Sequence, residues 1–382
     1  MDTTLTTIGE CINCNPSVKL DKGKIYPIID IEKIVVGRKF VTSKDSIVFS
    51  NQSGAKFENG DTLMARITPC LENGKIAKVQ IAGKGIGSTE LFVFRGKDGI
   101  SDNDFVYYLF NQQYIRVLSA NSMTGASGRQ RADLKFIKRI KISLPSLPLQ
   151  RKIASILSAY DSLIENNTKR IRLLEQMAEN LYKEWFVRFR FPGYENTEFV
   201  NGLPKCWSVK KYGEIAEIVA GGDCPCICSD IPTDDLCVPI YSNGVTNEGL
   251  YGYTNKERIS KPCITISARG TIGYVCLRTI PFVPIVRLLA VVPKNISVYY
   301  LFHYSRHNYL EGNGTSQQQL TKPMLQKRKV LVPAESTLLK FDMNVENIYN
   351  QKRKLEKINN TLTRQRDLLL PRLMSGKLEV KA

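Results

Sequence analysis

Histidine is almost absent from this chain: among 382 residues only His303 and His307 occur. Their i, i+4 spacing in FHYSRHNYL suits a metal on one helix face, but that stretch itself holds no glutamate or third ligand. The plainer reading is two surface or core residues of one helix. Catalytic signatures are missing as well. There is no G-x-x-x-x-G-K-[ST] phosphate loop and no G-x-S-x-G elbow. The Asn/Asp-Pro-Pro-aromatic motif of an amino-methyltransferase does not occur. GKGIGS (83–88) is glycine-rich without the G-x-G-x-x-G spacing, and reads as a turn. Long apolar runs are lacking too. TIPFVPIVRLLAVVP (279–293) is broken by Pro281, Pro284 and Arg287, which favours short buried strands over a membrane span. MDTTLTTIGE has neither the basic start nor the apolar core of a signal peptide. A cytoplasmic protein is expected, with its ten cysteines as free thiols. CINC (11–14) and CPCIC (224–228) do not form two spaced zinc-binding pairs, so reduced loop cysteines are expected and no metal.

Acidic residues are outnumbered. There are 36 Asp+Glu against 54 Lys+Arg, a formal charge of +18. Such a surplus favours a polyanionic partner, of which nucleic acid is the commonest. The length suits two or three domains.

What is present is repetition. YYLF stands at Tyr107–Phe110 and again at Tyr299–Phe302. After each copy comes a polar loop and a basic strand ending in proline: TGASGRQRADLKFIKRIKISLP (124–145) and GNGTSQQQLTKPMLQKRKVLVP (312–333). Ala65-Arg66 matches Ala268-Arg269, and Pro27-Ile28 matches Pro239-Ile240, in the same order. The chain therefore reads as a tandem duplication. In it His303 and His307 align with Asn111 and Ile115, which argues against a metal pair. Both globular segments are rich in β-branched and aromatic runs punctuated by Gly, Asn and Pro, the pattern of α+β domains.

Each globular segment is followed by a helical one. Ile153, Leu157, Tyr160, Ile164, Asn167, Ile171, Leu174, Ala178, Leu181 and Trp185 alternate at spacings of four and three, a heptad seam with one amide inside it. A shift of 184 carries this pattern onto Phe341, Ile348, Leu355, Ile358, Leu362 and Leu369, with Gln351 in the place of Asn167. Two seams of about 35 residues, about 50 Å of helix each, most economically pair with each other; ordinary core helices are the alternative.

The loops ahead of the basic strands carry Ser127, Arg129, Gln130 and Arg131 in one copy, and Asn313, Thr315, Gln317, Gln318 and Gln319 in the other. Guanidinium and carboxamide groups make the bidentate contacts that read guanine and adenine edges. Lys135, Lys138, Lys322 and Lys327 suit phosphates, which position without specifying. Solvated turns would have the same composition.

At this point the residues resemble a known family, the specificity subunits of type I restriction-modification enzymes. LPSLPLQRKIASILSAYDSLIENNTKRIRLLEQMAENLYKEWFVRF (144–189) is similar to that family's central helix. LPKCW (203–207) looks like its Leu-Pro-x-x-Trp opening of a second domain, and LLLPRLMSGKLEV (368–380) like its C-terminal signature. ARITPCLENGKIAKV (65–79), with Arg66 and Lys75, and ITISARGTIGYV (264–275), with Arg269, resemble motifs of its recognition domains. The first copy departs by lacking the Leu-Pro-x-x-Trp opening.

The resemblance implies an α+β chain of two tandem target recognition domains separated by two long helices in an antiparallel coiled coil, with pseudo-two-fold symmetry. The expected boundaries are 1–145 and 193–333 for the recognition domains, and 146–192 and 334–382 for the central and distal helices. It implies a non-catalytic subunit whose domains each read half of a bipartite double-stranded DNA target. The helices set the gap between the halves. Two methylation subunits dock there, and restriction subunits join through the complex. No cofactor is expected on this chain; S-adenosylmethionine, ATP and magnesium belong to the partners. A stand-alone DNA-binding regulator or architectural protein is the competing reading, and an enzyme with an unrecognised site a third.

Overall fold

The computed structural model describes residues 3–125, 129–308 and 319–378. The chain forms two compact units, Met1–Lys169 with Leu355–Ala382, and Arg170–Lys354.

In the first unit a five-stranded sheet runs in the order Ile12–Cys14, Leu91–Gly96, Thr62–Ala65, Ile76–Val79, Phe40–Val41. Thr62–Ala65 and Ile76–Val79 are buried at every position. Strands without a polar alternation are covered on both faces. One covering layer is the helix Asn103–Asn111, on which every residue from Phe105 to Phe110 is buried. Phe110 stacks on Phe94 of the sheet with ring centroids 3.8 Å apart. The other is a four-stranded sheet in which Ile25–Ile29 pairs in parallel with Lys84–Gly87.

The second unit repeats this plan. Ala216–Ala220, Leu289–Pro293, Cys263–Ile266 and Val275–Arg278 form a sheet in the same rank order as the first four strands above. Val238–Tyr241 pairs in parallel with Val283–Pro284, and Ile240 stands where Ile28 stands in the first unit. In both units the strand that leads in pairs antiparallel with the basic strand that leads out. Thr3–Thr7 pairs with Lys141–Pro145, and Ser208–Lys211 with Lys329–Val332. The duplication read from sequence is thus a duplication of topology.

YYLF is out of step with it. Asp102 caps the first YYLF helix, accepting from Asp104 and Phe105 N–H; Ser297 caps the second, accepting from Tyr300 N–H. Counted from these caps, His303 stands opposite Tyr108, three residues from the position that the letters suggest. A three-residue slip nearly completes a helical turn and keeps the same face inward, so both copies of the motif still serve the core.

The central helix spans Leu147–Tyr182 and continues as a π-helical turn, Lys183–Val187; the distal helix spans Glu335–Met374. Within the first unit, Asp161 pairs with Arg366 at 2.6 Å and Asn167 Nδ2 donates to Asn359 Oδ1 at 2.9 Å. Within the second, Lys352 pairs with Glu175 at 2.7 Å, and Trp185 meets Phe341 with centroids 5.9 Å apart. Numbers fall on one helix as they climb on the other, so the pairing is antiparallel.

On the central helix the expected seam faces inward. Ile153, Leu157 and Asn167 are buried, and Ile164, Ile171 and Leu174 half-buried. On the distal helix Leu355 is buried and Ile348 and Leu362 half-buried, but Gln351 and Ile358 are exposed, Ile358 to 47%. The residues turned inward are Val345, Tyr349, Asn359 and Arg366. Phe341-Val345-Tyr349 takes two four-residue steps in succession, following the 3.6-residue period of a straight helix where a strict heptad steps four and three. Gln351, the counterpart of Asn167 in the repeat, is thus exposed, and the amide opposite Asn167 is Asn359.

Candidate nucleic-acid interface

The polar loop of the first unit is sewn into the sheet on both sides. Arg131 exchanges backbone hydrogen bonds with Thr124, Thr68 N–H donates to Gln130 O, and Ala132 N–H donates to Arg66 O. These bonds carry the end of strand Thr62–Ala65, the loop and the helix Leu134–Arg139 into one surface. Asp133 caps that helix by accepting from Lys135 N–H.

The expected contact residues divide sharply in this setting. Arg131 is exposed, yet its guanidinium is committed: Nε and Nη2 grip both oxygens of Glu90 at 2.6–3.0 Å. The same grip holds the Glu90 carboxyl below its ordinary range. Lys75 is also committed, its Nζ donating to Ile31 O at 3.0 Å. Arg129 and Lys135 are exposed, Gln130 half-buried. Arg66 is half-buried, with its guanidinium 5.1 Å from the centre of the Phe92 ring, and its Nε is buried without a hydrogen-bond partner.

In the second unit Leu320 N–H donates to Ala268 O, the bond that Ala132 makes to Arg66 in the first. The Ala-Arg match seen in the sequence is thus one residue out, and alternate residues of an extended segment face opposite ways. Accordingly Arg269 is exposed and bonds Gln319 Oε1 at 3.2 Å, whereas Arg66 is tucked on an aromatic ring. Ala268 N–H is held by Asn243 Oδ1 at 2.7 Å. Lys322 is exposed at the start of the helix Lys322–Lys327, which Thr321 caps. Ser127, Asn313, Thr315, Gln317 and Gln318 lie outside the described residues.

Around Arg66 the surface is concave, about 590 Å³, and lined by Asn15, Phe92, Arg131, Lys135 and Lys138 among others. Phe92 and Asn15 carry no sequence signal for this role, since only strand register brings them to Arg66.

Among the described residues no group of three or more His, Cys, Asp or Glu is placed to hold a metal ion, and no helix is long and apolar enough to cross a membrane. His303 is buried with its Nε2 3.1 Å from Tyr349 Oη and its ring stacked on Tyr182. Sequence spacing had paired it with His307; the fold uses it in a core.

The family model for the type I restriction modification DNA specificity domain matches residues 5–176 and again 204–362. The chain belongs to this family. It carries the domain twice, as the repeated topology requires, and is a specificity subunit of a type I restriction-modification system. Such a subunit recognises DNA and is not itself catalytic. Among its relatives, the type I restriction enzyme MjaIX specificity subunit of Methanocaldococcus jannaschii is 28% identical over 316 residues, 75% of this chain and 71% of that one. The HindI specificity subunit of Haemophilus influenzae is 23% identical and covers 90% of this chain and 92% of its own. The crystal structure of a type I S subunit from M. genitalium shares the fold, with a TM-score of 0.56 over 100% of this chain and 97% of that one, at 16% identity.

Proposed function

We propose that this specificity subunit reads a bipartite DNA target, one half with each recognition unit, and that its paired helices set the gap and dock the methylation subunits. The observation that carries the reading is the duplication itself. Two units of one topology carry different side chains at the loop ahead of the helix, Arg129, Gln130 and Arg131 in one and, in the other, Gln319, which Arg269 reaches from just past the end of a strand. Equal scaffolds with unequal loops suit two half-sites of different sequence.

The recognition domains are assigned to 1–145 and 193–333, the helical regions to 146–192 and 334–382. A 36-residue helix is about 54 Å long, more than one DNA turn of about 35 Å, which gives it the reach of a spacer. Two methylation subunits bring S-adenosylmethionine and transfer its methyl group to adenine, and restriction subunits bring ATP and magnesium. Linking two weak readers raises the affinity for the full target through effective concentration.

The test is a map of methylated adenines across the host genome with and without this gene. Loss of one bipartite motif supports the reading. An unchanged map removes it, and tight sequence-specific binding by the chain with no captured subunit would point to a stand-alone regulator.

A further inference from the structure

We infer that the concavity over Arg66 is the seat of one DNA backbone phosphate, a contact that anchors the first recognition unit without reading sequence. This rests on the DNA-reading function proposed above.

Charge supports it first. Arg66, Lys135 and Lys138 line the cavity and, among the described residues, none of the three is ion-paired. The neighbouring acids are already engaged. Glu90 is gripped by Arg131 through three contacts, and Asp133 is spent on capping Lys135 N–H. With Asp133 set against Arg66, Lys135 and Lys138, the cavity lining keeps a net positive charge, and Arg66 Nε is left as a buried donor that lacks an acceptor. Unpaired buried donors are costly and rare, and a phosphate oxygen is a fitting acceptor for a guanidinium.

Shape supports it second. On duplex DNA the phosphates stand at the groove rims, while the major-groove base edges lie about 8.5 Å below them. A base edge is reached by a feature that protrudes from the protein; a hollow receives what protrudes from the DNA. Arg66 lies back on Phe92 instead of extending outward. Base reading by this unit then falls to Arg129 and Gln130, and Arg131 is a positioning residue that fixes the loop to Glu90.

The experiment measures binding of the full-length chain, in complex with the methylation subunits, to two unrelated 30-bp duplexes and to one carrying the mapped target, across a salt series. Arg66→Met keeps bulk over Phe92; Lys138→Ala changes an exposed side chain only. Each variant is expected to bind all three duplexes roughly 10-fold more weakly, with the slope of log K against log salt smaller by about one. A loss confined to the target duplex makes Arg66 a base reader and overturns the proposal, as does unchanged binding in both variants. Absence of salt-dependent DNA binding by the unaltered complex removes the proposed function as well, and so is distinguishable from failure of the cavity alone.

Discussion

Asp161 on the central helix and Arg366 on the distal helix hold each other at 2.6 Å inside the first unit, and Tyr108 of the recognition domain donates its hydroxyl to the second oxygen of the same carboxylate at 2.5 Å. Arg366 also donates to Gly37 O and to Asp367. Burial works against its charge, but the two carboxylates outweigh it and raise its affinity for the proton. Three segments distant in sequence thus meet on one ion pair.

Breaking that pair from one side strands a buried charge. Arg366→Met is expected to cost about 3–5 kcal/mol, while Asp161→Leu combined with Arg366→Met recovers most of it. Urea denaturation of the single and double variants checks this; an additive double variant would refute the coupling.

Asn167 and Asn359 face each other one helical turn and more away from that pair. Replacing either with leucine leaves the other amide without its partner, at an expected cost of about 1–3 kcal/mol. With both replaced, stability returns but the register of the helix pair is no longer specified. Thermal melts together with cysteine cross-linking across the seam would report the two effects separately.

His303 supplies a pH dependence. Burial first, and then Arg306, lower its pKa to about 3, with Glu179 opposing. Above pH 6.5 the ring is neutral folded or unfolded, and the contribution to stability is complete. As pH falls below 6.5 only the unfolded chain takes the proton, so stability is lost down to about pH 3, at up to about 1.4 kcal/mol per pH unit. His303→Phe should flatten that limb between pH 6.5 and 5, where carboxylates contribute little. Parallel stability curves for the two proteins would contradict the assignment.

Two predictions concern DNA. Inserting one heptad into the central helix between Arg170 and Glu184 is expected to lengthen the gap between half-sites and leave their sequences alone, read by methylation mapping. Arg269→Ala is expected to cost about 1–3 kcal/mol and relax only the half-site of the second unit; a uniform loss across sequences would make it a phosphate contact.

Metal removal should do nothing. Cys224 and Cys228 lie with their sulfurs 4.0 Å apart, but no third ligand joins them among the described residues. A chelator is expected to leave the melting temperature unchanged, and a fall of several degrees would reveal a site.

Much of this architecture is legible from residues alone because it is written twice. Collinear matches identify the repeat, and the alternation of four- and three-residue steps identifies both long helices. Exact register is not legible. YYLF lines up by letters and not by caps, because it begins five residues after Asp102 in one helix and two after Ser297 in the other. Ile358 looks like a seam residue only under a strict heptad, whereas the distal helix drifts, turns Asn359 inward and buries Arg366, polar residues that only a partner makes acceptable there. The commitment of Arg131 to Glu90 joins positions 41 apart, and no local pattern announces which arginine is spent and which is available.

The strand that opens each recognition unit lies hydrogen-bonded to the strand that closes it, Thr7 against Lys141 and Lys211 against Lys329. Each unit is therefore a loop of chain gathered at a single stem. The contacts that tie that loop to the long helices, Tyr108 on Asp161 in the first unit and His303 on Tyr349 in the second, come from between the two strands of the stem.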